Sequence, residues 1–422
     1  MGFSGWYGRT GTLKLRCSTK MQKAFLFLLL AASASSHATA PVFSRLFAAA
    51  DSAETAYNNP AGMTRLQSNE LSLSGHLIKY LGEFEIDQSV TTVSGGAPDS
   101  GDPILIPAMY YVRVINDDWR AGFSLTIPTG FGSSSDGDWA GRYYSTESSL
   151  ILVSANPSVA YKVNDRLSLG AGLGFNYTTS EISTAVANSD PNLSDGTLDV
   201  ESDGLGIAVV VSSLIELSPS TRIGINYRSE SEASTDPDID IKGTGIAPEE
   251  LEKLKAAISS LEIASKVPQQ FQFGIYHQLD NQWELTFDAV WIDFSEFGVT
   301  EISIVGNDID APDDLYEDFW AFSAGLAFPI SPTLTGRVGA LYAQQAISDE
   351  NRSFSFALDR IYGIGAGIQH QRSNGDKVDV NLNLFDSGSA PIDTGDDPVR
   401  GRIAGEYKDH YALGLEFTYH WK

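Results

Sequence analysis

Few residues in this chain are of the types that do covalent chemistry, and their spacing narrows the field further. The single cysteine is Cys17, and the six histidines fall into no Cys/His pattern of zinc spacing. Neither a G-x-S-x-G elbow nor a phosphate loop is present. His76 shares a strand face with Ser72 and Ser74, the one Ser/His pairing a hydrolase could use, but a row of polar residues on one strand accounts for it more simply. Acidic runs at Asp236-Pro-Asp-Ile-Asp240, 308–318 and 393–397 invite comparison with calcium loops. The first lacks the glycine at the sixth position and the glutamate at the twelfth that an EF-hand needs, so these acids read as solvated loop residues, with no metal and no cofactor expected. Arginine remains. Arg113, Arg120, Arg222, Arg228 and Arg337 alternate with apolar residues, and a forked guanidinium is the donor that fixes a carboxylate. Arg228 and Arg337 are the candidate carboxylate-binding residues. Glu284, Asp288, Asp379 and Glu416 lie in the same kind of row, so internal ion pairs are the competing reading.

The elements that would position these side chains have a period of two. Leu71, Leu73, Gly75 and Leu77 alternate with Ser72, Ser74 and His76; Trp119, Ala121, Phe123, Leu125 and Ile127 alternate with Arg120, Gly122, Ser124 and Thr126. Tyr110, Val112 and Val114 are set against Tyr111 and Arg113, and the pattern recurs around 222–228, 270–275 and 378–384. It ends with Tyr411, Leu413, Leu415, Phe417, Tyr419 and Trp421. Short turns, such as Asn116-Asp-Asp118 and Ser373-Asn-Gly-Asp376, alternate strictly with long polar connections near 82–103, 130–148, 180–197, 231–266, 298–316, 346–358 and 386–406. Tight turns at one end and long loops at the other mark a transmembrane β-barrel, with apolar rows toward lipid and polar rows toward a lumen. The count is about fourteen strands, an even number that leaves both termini on the short-turn side. The fold expected is all-β, a transmembrane antiparallel barrel, with Trp119, Tyr161, Tyr227, Trp291, Tyr411 and Trp421 in its aromatic girdles.

Composition and targeting agree with that reading. A formal charge of -26 over 422 residues excludes a nucleic-acid partner, because the phosphate backbone would be repelled. Met21-Gln-Lys precedes the apolar run Ala24-Phe-Leu-Phe-Leu-Leu-Leu-Ala-Ala32 and then Ala38-Thr-Ala40, the order of a secretory signal. The expected divisions are 1–40, an upstream extension and signal with Met21 as start; 41–69, a non-strand segment; and 70–422, the barrel. A Gram-negative outer membrane is the expected location, with its lipid and lipopolysaccharide as surroundings and a monomer as the expected state.

Within the non-strand segment, Tyr57-Asn-Asn-Pro-Ala-Gly-Met63 contains an Asn-Pro step that favours a turn. Together with Trp139-Ala-Gly-Arg-Tyr143 and Leu167-Ser-Leu-Gly-Ala-Gly-Leu-Gly-Phe-Asn-Tyr177, it makes the mature chain resemble the FadL/TodX-type outer-membrane transporters of long-chain fatty acids and hydrocarbons. Asn59, Pro60 and Ala61 match that family's hatch motif. The resemblance implies a fourteen-stranded barrel blocked by an N-terminal hatch, and no enzyme. It implies that a hydrophobic ligand is captured in an extracellular groove, passed to a lumen pocket and released sideways through a kinked third strand. Pro128, Gly130 and Gly132 lie in the third strand here, where proline cannot donate to the ladder and glycine weakens pairing, so they are the candidate lateral gate. Leu251, Leu254, Ile258 and Leu261 form an apolar stripe at helical spacing behind Pro248 and are the candidate groove. The alternative is a general diffusion porin without a specific hydrophobic ligand. Two departures stand beside the matches: 41–69 is short for a hatch, and the chain ends Trp421-Lys422 and not on the aromatic.

Overall fold

In the computed structural model the described residues are 45–422, apart from 99–102, 189, 191, 236, 244, 246–248, 250–260, 305–306, 311–314, 355–356, 358 and 399. Fourteen antiparallel strands form a closed barrel. They are β1 (Glu70–Ile86), β2 (Ile104–Val114), β3 (Trp119–Ser134), β4 (Glu147–Lys162), β5 (Leu167–Val186), β6 (Gly196–Ser218) and β7 (Thr221–Arg228). The second half comprises β8 (Gln270–Gln278), β9 (Glu284–Ile292), β10 (Phe319–Ser331), β11 (Leu334–Ala343), β12 (Ile361–Gln371), β13 (Lys377–Asp386) and β14 (Ala404–Trp421). Each strand pairs with its neighbour in sequence, and β1 pairs with β14, Leu71 opposite Trp421, so no edge is left. Closure matters in lipid because no water is there to take up an unpaired N–H or C=O. Leu73, Leu77, Leu125, Leu169, Val209, Leu382 and Leu415 are exposed on the outer wall, while Ser72, Asn226, Asn383 and Thr418 are buried on the inner. Trp119 and Tyr161 stack at 4.7 Å at the short-turn end of that outer wall.

The strands are longer than the alternation predicts. β5 and β6 pair without a break from Leu167 opposite Ile215 to Val186 opposite Gly196, well into the stretch expected as loop. The expected loop 231–266 contains strands Ser231–Thr235, Asp238–Lys242 and Leu261–Val267, and the first and last of these join Gly298–Ile304 and Asn307–Asp310 in a separate four-stranded sheet. The polar composition of these segments marked solvent, and solvated strands carry the same composition as loops. Of the four candidate groove residues, Leu251, Leu254 and Ile258 lie outside the described residues. Leu261 opens a strand, where a helix through that position was expected.

One strand inverts the expected facing. On β2 the buried row is Ile104, Ile106, Ala108, Tyr110 and Val112, and Arg113 is exposed on the outer side. Arg113 is therefore not an inward arginine. The reason is local: Ala108, Tyr110 and Val112 pack against Ala53, Ala56, Met63 and Leu66 of the N-terminal segment, so the inner face of β2 is apolar.

Candidate functional site

The N-terminal segment holds a short helix, α1 (Thr55–Asn58), and a 3-10 turn, Pro60–Arg65. Asn59 lies between them with extended backbone and is fully buried. Its side-chain amide donates to the Phe47 carbonyl at 2.7 Å and the Ser213 carbonyl at 3.1 Å, tying the segment to itself and to β6. Pro60 opens the 3-10 turn, where its missing N–H leaves nothing unpaired. The Ala61 N–H donates to Ser212 Oγ at 2.9 Å, and Thr64 and Ser168 hydroxyls meet at 2.7 Å. The wall is shaped to admit this approach. A Cβ on Gly170 would overlap the Ala61 nitrogen, and one on Gly224 would overlap the Phe47 carbonyl. Asn59, Pro60 and Ala61 thus sit against the inner face of β5–β7.

Two of the expected inward arginines serve this segment. Arg222 donates from Nε to the Ala48 carbonyl at 2.6 Å and stacks 3.5 Å over the Tyr276 ring. Arg120 donates from Nε to the Leu66 carbonyl at 3.0 Å. Arg337 lies 3.4 Å from Asp379 and so has an internal carboxylate. Arg228 also reaches the segment, at Tyr57, and like Arg120 and Arg222 has no carboxylate partner among the described residues; it differs in its polar neighbours. It is 7% exposed, donates to Asn156 Oδ1 at 2.8 Å and stacks 4.4 Å over the Tyr57 ring. Around it lies a nook of hydrogen-bonding groups. Ser124 is the cross-strand partner of Asn156, and Thr126 follows on the same face of β3. The Ser124 and Thr126 hydroxyls and the Asn156 amide nitrogen are buried without a partner. A buried donor left unpaired costs about 1–3 kcal/mol, and these three are linked to the guanidinium through Asn156.

That nook adjoins a break in the wall. Between Thr126 and Thr129, β3 carries one residue more than β4, a bulge formed around Ile127 and Pro128. On its other side β3 pairs with β2 only over residues 120–125; among the described residues, 126 and 129–134 pair with β4 alone and 104–108 of β2 pair with β1 alone. The seam between β2 and β3 is therefore unzipped beyond Leu125, where Pro128, Gly130 and Gly132 lie. Its lumen side is lined by Ile78, Ile104, Ile106 and Ala412, with Ile127 packed on them.

A second apolar cluster was not anticipated from the sequence. Phe47 of the N-terminal segment packs with Val290 and Ile292 of β9, and these continue into Phe294, Phe297, Tyr316 and Phe319. Phe294 and Phe297 stack at 4.6 Å. This cluster runs from the inner segment to the outer loops; the signal for it was the aromatic density of 291–320, which the loop assignment passed over. Trp139 of the second long loop is 1% exposed and packs with Phe84 of β1 and with Phe354, Ile392 and Ile403, gathering three outer loops and the end of β1 into one small core. Arg142 and Tyr143 both bond Asp195, at 2.9 and 2.8 Å, fastening that loop to the next. Asp195 is held below the usual carboxylate range: burial acts to raise it, and the hydrogen bonds from Arg142 and Tyr143 outweigh that.

Ser72 Oγ is 2.6 Å from His420 Nδ1, and His420 Nε2 is 3.0 Å from Asp379 Oδ2. The order Ser–His–Asp resembles a hydrolase triad, with His420 where the sequence suggested His76. Ser72 is fully buried, however, and lines neither of the cavities beside the N-terminal segment, so the chain of bonds joins β1, β14 and β13 and presents no nucleophile.

The profile of the family described as outer membrane protein transport protein (OMPP1/FadL/TodX) matches residues 15–421. Among curated proteins, the long-chain fatty acid transport protein of Escherichia coli (strain K12) is 22% identical over 417 residues, covering 88% of this chain and 89% of that protein. Outer membrane protein P1 of Haemophilus influenzae is 19% identical over 362 residues, covering 76% of this chain and 77% of that one. The crystal structure of a Pseudomonas aeruginosa FadL homologue superimposes with a TM-score of 0.74 at 19% identity, over 93% of this chain and 98% of that one. The Pseudomonas putida toluene transporter TodX gives 0.62 at 15% identity, over 90% and 98%.

Proposed function

The chain belongs to the OMPP1/FadL/TodX family of outer membrane transport proteins, and from that premise we propose that it carries long-chain fatty acids or closely similar amphipathic compounds across the outer membrane. The observation that carries this reading is Arg228, a buried guanidinium with no carboxylate partner among the described residues, beside the unpaired donors of Ser124, Thr126 and Asn156. A fatty-acid carboxylate supplies what this nook lacks, and two hydrogen bonds to guanidinium give it orientation as well as energy.

The rest of the route follows from the linings. An apolar chain enters along Phe294, Phe297, Tyr316 and Phe319, with Leu251, Leu254, Ile258 and Leu261 proposed as an outer capture surface. Residues 41–69 act as the hatch, held by Asn59, Pro60 and Ala61, and keep the lumen from being an open pore. Release is sideways, through the unzipped β2–β3 seam at Pro128, Gly130 and Gly132, whose lumen side is apolar. The driving force is the transfer of methylenes, about 0.8 kcal/mol each, so the protein needs only to avoid trapping the chain.

The test compares a long-chain fatty acid with its methyl ester on purified protein. Arg228→Met should weaken acid binding about 10- to 100-fold, the effect of losing a charged hydrogen-bonding pair, and leave the ester unchanged. Equal affinity of the variant and the parent for the acid would remove Arg228 from the site.

A further inference from the structure

The N-terminal segment meets the two halves of the barrel by different chemistry. Toward β5–β8 it is in direct contact, with backbone against glycine at Gly170 and Gly224. Toward β11–β14 it leaves a polar space, bridged by Lys377 of β13, while its ion pairs run to Glu216 of β6 and Glu284 of β9. A cavity of about 40 Å³ is lined by Arg45, Asp51, Glu54, Arg337, Asp379 and Glu416, among others. A second, of about 240 Å³, is lined by Asp51, Arg65, Glu70 and Lys422 and lies at the end of the barrel where β1 begins and β14 ends. Ala50 and Asp51 line both, so a single layer of chain separates them. Four carboxyl groups and two guanidiniums face the first cavity, an acid-rich lining whose negative charge grows as Glu54 ionises above about pH 7. Arg337 Nε, Asp379 Oδ1 and Asn381 Oδ1 are buried on that side without a protein partner. Buried charges and unpaired polar atoms persist where water can reach them, and a lining of this kind is wetted while an apolar one is not. Among the described residues no group of three His, Cys, Asp or Glu is set to hold a metal, so the arrangement is that of a lined path and not of a chelating site.

We propose that the seam between residues 45–54 and β11–β14 is a second, polar route past the hatch, admitting water and small inorganic cations and closed by Arg45 bridging Asp51 and Glu284. This rests on the reading of 41–69 as a hatch. Arg45 donates to both carboxylates at 2.5 Å, and Lys377 Nζ holds the Asp51 carbonyl at 3.1 Å. Opening that bridge frees Asp51, which lines both cavities, and removes a guanidinium from the first, leaving an acidic lining that selects cations over anions. Glu284 begins β9, whose far end, Val290 and Ile292, belongs to the apolar cluster; that cluster and the β2–β3 seam use none of the charged residues named here.

Planar-bilayer recording of the full chain in a potassium chloride gradient tests this. Arg45→Met should raise conductance several-fold, with a reversal potential on the cation-selective side, while fatty-acid binding stays at its parent value. Adding Glu416→Gln should reduce the selectivity. If Arg45→Met does not assemble, Asp51→Asn breaks the same bridge from the other side and is read in the same way. Unchanged conductance, or anion selectivity, in the assembled variant overturns the polar route. Deleting 41–69 distinguishes the two claims: a conductance rise there without one in Arg45→Met defeats the route alone, and no rise in the deletion defeats the hatch reading as well.

Discussion

Arg228 and Arg337 occupy the same kind of place in the alternation, and their surroundings separate them. Arg337 on β11 faces Asp379 on β13, and Arg228 on β7 faces the Asn156 amide and the Tyr57 ring. Strand parity tells which residues point inward but not what stands across a lumen, so the pair looked equivalent in the sequence. Parity itself failed at Arg113, because the inner face of β2 is made apolar by the segment it covers. Glu54 shows what burial in this lumen does. Burial, with Glu416, Asp379 and Asp51 nearby and His420 opposing, pushes its carboxyl from the usual 4.5 up to about 7. Between those values the docked segment holds a proton that the undocked segment releases, so docking is favoured at low pH and that contribution is lost as the pH rises through 7. Limited proteolysis of residues 45–69 should therefore speed up from pH 5 to pH 8, and Glu54→Gln should flatten the dependence; an unchanged slope in the variant would show that another group titrates.

The third strand carries the proposed exit, and its irregularity was partly legible. Proline and glycine at 128, 130 and 132 announced a weak stretch; they did not say that β2 and not β4 would be the partner lost, since that depends on register across both seams. Replacing Pro128, Gly130 and Gly132 together with valine supplies the missing donor and the side chains that favour pairing. Fatty-acid uptake by cells should fall while the folded, heat-modifiable barrel is made in normal amounts, and normal uptake would exclude the seam as the exit. On β5 the close approach of Ala61 to Gly170 leaves no room for a side chain. Gly170→Val should displace the turn Pro60–Arg65 at a cost of about 1–3 kcal/mol, as overpacking does, and raise bilayer conductance above the parent. Parent-level conductance in that variant would mean that the turn does not contribute to the seal. The outer loops were the least legible elements, because solvated strands and loops share a polar composition and only pairing distinguishes them.

At the scale of the whole molecule the alternation of polar and apolar residues with short and long connections led directly to the barrel, because lipid imposes one demand on the outer face and closure imposes another on the backbone. The division of the lumen was not legible. Direct contact on one side and a polar seam on the other depend on where a segment of some twenty residues comes to rest, and no local pattern encodes that position. On the proposed reading the barrel is closed to bulk solutes and open to a hydrophobic chain with an acidic head. The most direct measurement is paired: titration of the purified full chain with a radiolabelled long-chain fatty acid, and bilayer conductance of the same preparation. Saturable binding at about one site per chain with low conductance is the predicted result. High, steady conductance with no saturable binding would contradict it and make the protein a diffusion porin.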